Sequence, residues 1–250
     1  RELVHPLLLC KVEVNLMRSA TSSTHLLLFV CWVGWFIVFF NRLTVSPVLP
    51  LIQSDFTLSH AQSGLLMSIY LLAYALAQVP AGMLTDRLGR KRLIIPGILL
   101  SSGANSAISL VPTFDQIVAC RALAGFGAAT FYPASSPLIF EAFPASKSRA
   151  LGIAYSGLGA GSILAIVLGG LIAQSMNWRF LFYFSCLFGI LGASLFYRYV
   201  RETRPERAKS AVQSATIYKN VLANKHILGL FLIHLIILHA YFSLMTFIPT

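Results

Sequence analysis

Two arginines, Arg42 and Arg121, fall inside long apolar runs. An arginine held in hydrocarbon costs from about 2.5 kcal/mol upward, so each must face an aqueous cavity or a partner. A guanidinium in a cavity grips a carboxylate or phosphate bidentately. Arg42 could instead snorkel to a nearby interface, and Arg121 could bond the carbonyls of a neighbouring helix. Asn41 adjoins Arg42. Tyr70, Tyr74 and Gln78 recur every four residues and make a polar stripe on one helix face. Tyr132, Tyr155 and Asn105 are candidates of the same kind. His234 and His239 stand in apolar surroundings, where a histidine can titrate near neutral pH or stay neutral on one hydrogen bond.

The acids limit the chemistry further. All eight (Glu2, Glu13, Asp55, Asp86, Asp115, Glu141, Glu202, Glu206) lie outside the apolar runs or at their ends. None is placed to carry a proton mid-membrane, so proton coupling would need His234, His239 or residues beyond this sequence. The four cysteines (Cys10, Cys31, Cys120, Cys186) form no CxxC pair and no zinc spacing. Three of them lie in apolar runs, where a thiol packs as a small hydrophobe. No metal cluster, nucleophile elbow or phosphate loop is present, and Gly125-x-Gly127 sits inside an apolar run. The expectation is therefore no enzyme, no catalytic residues, no metal and no cofactor.

The elements that must position these residues are membrane helices. The hydrophobic fraction is 57%, only 11% of residues are charged, and mean hydropathy is +0.76. A soluble surface needs more charge than that. The apolar residues fall in blocks of about 20, the length that spans a bilayer. Spans are expected at 26–48, 63–82, 93–111, 116–140, 151–173, 179–200 and 227–250. Leaving out Arg1, fifteen basic residues fall in the N-terminal segment and alternate connections, whereas the opposite connections carry only Arg179. The positive-inside rule then puts the N-terminus in the cytoplasm of a multi-pass protein of the cytoplasmic membrane. The net charge of +11 reflects this placement, and no cluster lies on a soluble face where nucleic acid could bind.

The first apolar block is too long for a signal-peptide h-region and lacks a small-residue cleavage site. The expected organisation is a cytoplasmic segment at 1–25, a six-helix bundle at 26–200, a cytoplasmic linker at 201–226, and a seventh helix at 227–250. The linker is rich in Arg, Lys, Ser and Ala and contains Pro205. Met17-Arg18 looks like a natural start, which would place residues 1–16 upstream of the initiator. The end at Thr250, with no tail after the seventh span, reads as a break inside a second bundle.

The most informative stretch joins the second and third spans: Gly82-Met-Leu84-Thr-Asp86-Arg87-Leu-Gly89-Arg90-Lys91-Arg92. Gly82 is expected to end the helix where a neighbour approaches, and Asp86 to pair with Arg90 in an exposed latch. Glu141 would serve other arginines. Arg121-x-x-x-Gly125-x-Gly127 lies in the fourth span, and Glu141-Ala-Phe-Pro144 with Arg149 follows it. Together these segments resemble the major facilitator superfamily, whose loop signature reads G-x-L-x-D-R-x-G-R-K. The resemblance covers residues 26–250 and implies an all-α polytopic fold. That fold would be a six-helix bundle of 3+3 inverted repeats plus the first helix of a second bundle. It also implies that Asp86 faces a helix end of the second half, so that Gly82, Asp86, Arg87, Gly89, Arg90, Lys91, Glu141 and Arg149 form a gating set. The alternative is that these charges only set topology.

Gly157, Gly161, Ala165 and Gly169 recur at intervals of four on the fifth span, and Ala73, Ala77 and Ala81 on the second. Such ridges let membrane helices approach closely. Drug–proton antiporters of the superfamily carry a Gly-Pro pair where this chain has Ala165-Ile166, a departure from that subclass. Phe40-Asn41-Arg42 with Pro47 and Pro50 resembles the first helix of the organophosphate and organic-anion carriers, in which an arginine eight residues before a proline binds the anion. Those symporters often carry a carboxylate seven residues after the motif arginine, where this chain has Ala128.

The expected function is therefore a secondary carrier of a small organic or phosphorylated anion, working by alternating access and monomeric at full length. Its partners would be substrate, lipid bilayer and a coupling proton or counter-anion. Substrate contacts are expected from Arg42, Asn41, Tyr70, Tyr74, Gln78, Arg121, Tyr132, Tyr155, His234 and His239. Competing readings are a multidrug or other efflux carrier and a non-transporting sensor on the same fold. A seven-helix receptor is disfavoured by the cytoplasmic N-terminus, the long linker, and the absence of lysine from the seventh span.

Overall fold

A computed structural model describes residues 4–202, 224–230, 232–233 and 236–237, with side chains from residue 24 onward. Two compact units divide at Arg204 and Pro205. Among the described residues the first holds eight helices: α1 (Val4–Leu43), α2 (Val45–Asp55), α3 (His60–Leu88), α4 (Arg90–Ala107), α5 (Phe114–Ala128), α6 (Phe131–Ala142), α7 (Lys147–Ser175) and α8 (Phe180–Tyr199). In the second, residues 225–230 are helical, and His234 and His239 lie outside the described residues. The helix expected from residue 26 begins at Val4 instead, so α1 runs for 40 residues.

Among the described residues, five stretches are long and apolar enough to cross a membrane: Thr24–Asp55, His60–Leu88, Phe114–Ala142, Lys147–Ser175 and Phe180–Tyr199. The helix expected at 93–111 is α4, which has 18 residues and opens on Arg90, Lys91 and Arg92. Its composition falls short of a span because three basic residues and a polar second half share only 18 positions, and those polar side chains point inward. Ser101, Ser102 and Asn105 are buried while Leu99 and Leu100 are exposed.

Spans one and four are each two helices, not one. α1 gives way to α2 at Thr44, and α5 to α6 at Ala129-Thr130. In both places a proline follows the threonine by three residues (Pro47, Pro133) and cannot donate to the preceding turn. The break in span one lies toward the end remote from the α3–α4 hairpin. The break in span four lies near its middle, and α6 finishes beside that hairpin. α3 starts on a capping box, in which Gln62 N donates to Ser59 Oγ (3.3 Å) and Ser59 N to Gln62 Oε1 (2.9 Å).

Small residues set the helix spacing. A Cβ on Gly157 or Gly161 would overlap the carbonyl oxygen of Trp32 or Phe36, and one on Gly169 would overlap Pro47. The α7 ridge therefore lies directly against α1 and α2. The two motif glycines of α5 touch different helices: Gly125 meets the Tyr70 carbonyl of α3, and Gly127 meets Gly97 and Ser101 of α4. Two apolar clusters fill the bundle. One surrounds Trp35, Phe131 and Phe196, and the other surrounds Phe40, Ile52 and Phe182. A polar layer lies between them.

Candidate functional site

That layer is built on Arg121, which is fully buried. Its Nε donates to the Leu66 carbonyl (3.2 Å), and Nη1 to the Asn41 carbonyl (3.1 Å) and Asn105 Oδ1 (3.3 Å). Nη2 donates to the Arg42 carbonyl (3.2 Å), and the guanidinium lies 4.5 Å from the Tyr70 ring centroid. The break at Thr44 thus presents two carbonyls that a planar fork reaches together. Asn105 Nδ2 continues the layer to Thr44 Oγ1 (3.0 Å) and Ser185 Oγ (2.8 Å), and Asn41 Nδ2 donates to Ser102 Oγ (2.9 Å). Helices from spans one, two, three, four and six are joined here. Arg121 has the second of its two expected environments, hydrogen bonds to neighbouring carbonyls, and Asn41 is buried with it.

Arg42 points elsewhere. It is half-buried, and its guanidinium lies 5.2 Å from the Phe39 ring centroid. It is within electrostatic reach of Tyr70, Tyr74 and Arg121. Tyr74 in turn interacts with Gln78 and Tyr132, and Tyr155 with Tyr132, Tyr74 and Ser136. Trp35 joins the group edge-on, with ring centroids 4.7 Å from Tyr155 and 5.9 Å from Tyr132. So Arg42, Tyr70, Tyr74, Gln78, Tyr132 and Tyr155, drawn from four spans, share one polar and aromatic face. Tyr70 is the buried member, and Tyr132 is the most exposed. The indole N–H of Trp35, the hydroxyl of Tyr70 and Asn41 Oδ1 are buried without a hydrogen-bond partner among the described residues. Among the residues whose side chains are described, the acids lie at helix ends or beyond them: Asp55, Asp86, Asp115, Glu141 and Glu202.

The gating candidates gather at the α3–α4 hairpin, with different pairings from those expected. Arg90, almost buried, makes a bidentate ion pair to Glu141 (2.5 and 2.6 Å), not to Asp86. The reason is local. Gly89 has φ +99°, so the chain reverses between Asp86 and Arg90, and the sequence interval of four no longer places them on one helix face. Asp86, Arg87 and Arg149 are exposed, and Asp86 makes no hydrogen bond or ion pair among the described residues. Gly82 does not end its helix, since α3 continues to Leu88, and a Cβ there would meet only Pro133 at an ordinary 3.8 Å. Lys91 Nζ donates to the Tyr197 carbonyl of α8 (2.6 Å).

Glu202 was not anticipated. Its Oε2 accepts from Arg92 N (3.1 Å) in the first turn of α4, and its carboxylate fills the space a Cβ on Gly89 would need. It also lies 3.9 Å from Arg92 Nε. An acid at a helix N-terminus complements the free N–H groups there. The signal in the sequence was an acid just past span six, level with the basic hairpin. At the opposite end, Asp55 Oδ2 accepts from Trp178 Nε1 (2.7 Å) and Arg179 Nη1 (3.4 Å), tying span one to the α7–α8 turn.

Comparison with known proteins matches this arrangement to transporters. Over 179 residues, 71% of this chain, it is 32% identical to the multidrug resistance protein Stp of Mycobacterium tuberculosis (strain CDC 1551 / Oshkosh), of which it covers 33%. It is 28% identical over 174 residues to the hexuronate transporter of Bacillus subtilis (strain 168), covering 69% of this chain and 41% of that protein. The chain therefore spans about a third to two fifths of these relatives' length. A bacterial homologue of the human lysosomal transporter Spinster, in an inward-facing and unoccupied conformation, has the same fold. It matches with a TM-score of 0.66 and 22% identity over 80% of this chain and 48% of that one. A family model described as Major Facilitator Superfamily matches residues 31–250. The chain belongs to the major facilitator superfamily, a family of multi-pass membrane transporters and not of enzymes.

Proposed function

We propose that the whole protein is a secondary carrier that moves a small organic or phosphorylated anion across the cytoplasmic membrane by alternating access. The observation carrying this reading is the half-buried Arg42 on a face of tyrosines, with Arg121 behind it and Asp55, Asp86, Asp115, Glu141 and Glu202 all at helix ends or beyond them. Cations grouped in a low-dielectric wall favour an anion. Arg42 would hold the anionic group, while Tyr74, Gln78, Tyr132 and Tyr155 orient the remainder. Arg121 would keep span one bent so that Arg42 faces the substrate. Asp86 would engage the second bundle when the hairpin side closes. The reading places the N-terminus in the cytoplasm, and its coupling is exchange or uniport unless His234, His239 or residues outside this sequence carry a proton.

The test is uptake of labelled organic anions into proteoliposomes holding the full-length protein, with substrate-induced thermal stabilisation measured in parallel. Stabilisation should fall about tenfold in apparent affinity in Arg42→Lys, which keeps the charge but loses the fork. Unchanged stabilisation would remove Arg42 from the site. The second reading is efflux of apolar or cationic compounds. It is favoured by the Trp35, Tyr132 and Tyr155 aromatic cluster and by the similarity to Stp. Drug export that is indifferent to Arg42→Lys would select it.

A further inference from the structure

We propose that a groove between α1 and α8 seats one acyl chain of an anionic phospholipid drawn from the bilayer, with its phosphate on Arg198. The groove has a volume of about 470 Å³, and its lining is apolar except near one end. Phe36, Ile37 and Phe188 close the deep end, and Leu191 and Leu195 continue along α8 to Arg198 and Tyr199 at the mouth. From Phe188 to Arg198, α8 advances about 15 Å at 1.5 Å per residue. That is half of a hydrocarbon core of about 30 Å, the depth of a single leaflet. The groove thus runs from mid-bilayer to headgroup level, on the side of the basic hairpin.

Charge selects the occupant. Arg198 is exposed in the last turn of α8 and makes no ion pair among the described residues. The nearby acids are engaged: Glu141 with Arg90 and Glu202 with Arg92. Lys91 reaches α8 at the Tyr197 carbonyl, and Arg201 lies two residues past the end of α8, so this end of the groove is cationic. Ser194 adds a hydroxyl one turn deeper. A phosphodiester with a net negative charge meets this field, whereas a zwitterionic headgroup brings its own ammonium with it. The exposed Leu191 leaves the groove open sideways, the direction from which a lipid enters.

The experiment is native mass spectrometry of the full-length protein exchanged into detergent with phosphatidylglycerol or phosphatidylcholine, using thermal unfolding as the folding control. Wild type should retain one phosphatidylglycerol and release phosphatidylcholine. Arg198→Gln should weaken retention about fivefold or more, Arg198→Lys should restore most of it, and Lys147→Gln, an exposed cation off the groove, should change nothing. Leu191→Trp, which fills the groove without altering charge, should abolish retention. Equal retention of both lipids would overturn the proposal by making the contact merely annular. So would retention indifferent to both Arg198→Gln and Leu191→Trp, or a helix of the same protein cross-linking to Cys introduced at 191. None of these readouts depends on the transported solute, so the lipid seat and the anion-carrier reading fail separately.

Discussion

Replacing Arg121 separates a brace from a substrate contact. Arg121→Lys preserves the charge but offers a compact ammonium in place of a fork. It can satisfy about one of the four acceptors now bonded at 3.1–3.3 Å. The three lost bonds each cost about 0.6 kcal/mol on the average for interhelical bonds in membranes, or about 1.5 kcal/mol for charge-assisted ones. The total is about 2–4.5 kcal/mol. Arg121→Met removes the charge as well and leaves the Asn41 and Arg42 carbonyls with no donor from α5. The measurement is tryptophan-monitored thermal unfolding of the full-length protein in mild detergent. At about 2–4 °C per kcal/mol, Arg121→Lys should unfold on the order of 10 °C earlier. Ligand-induced stabilisation should fall no further than the loss of fold accounts for. An unchanged midpoint combined with lost ligand response would refute the brace and return Arg121 to the substrate.

Three further outcomes follow from the packing and the hairpin. Gly161→Ala should destabilise the bundle by several kcal/mol or prevent its assembly, because the new Cβ overlaps the Phe36 backbone oxygen. Gly159→Ala on the same helix meets nothing within 4 Å and should be neutral, as unfolding midpoints of the pair will show. Gly89→Ala must adopt φ +99° and displace Glu202 as well, a cost of about 1–3 kcal/mol visible as faster amide exchange in the first turn of α4. Asp86→Asn should leave the unfolding midpoint within about 0.5 kcal/mol of wild type while slowing transport by the full-length protein. A stability loss would show that Asp86 is already paired within the bundle.

Most of the architecture was legible because lipid enforces long apolar runs and concentrates cations at their ends. The six runs from 26 to 200 correspond to the helices of the first unit, and the glycine spacing on span five correctly marked the face that touches α1. The breaks were not legible. Pro47, Pro50 and Pro133 were visible, but a proline within a membrane helix tells little until a neighbour supplies the missing donor. The polar layer was hidden for a related reason. Serine and threonine in such helices often bond their own preceding turn, as Ser162 does to the Leu158 carbonyl (2.8 Å). Sequence cannot show that Ser102 and Ser185 instead reach across. Arg90 was expected to pair with the nearby Asp86, but the chain reverses at Gly89 and Arg90 meets Glu141 of α6 instead.

The two proline-marked breaks are not mechanical equals. The one at Thr44 is tied through Arg121 and Asn105 to α3, α4 and α8. The one at Thr130 hydrogen-bonds only within its own turn, to the Gly127 carbonyl, and meets α4 by contact with Gly97. Bending of the bundle is therefore expected to start at the middle of span four, while the bend of span one beside Arg42 stays held.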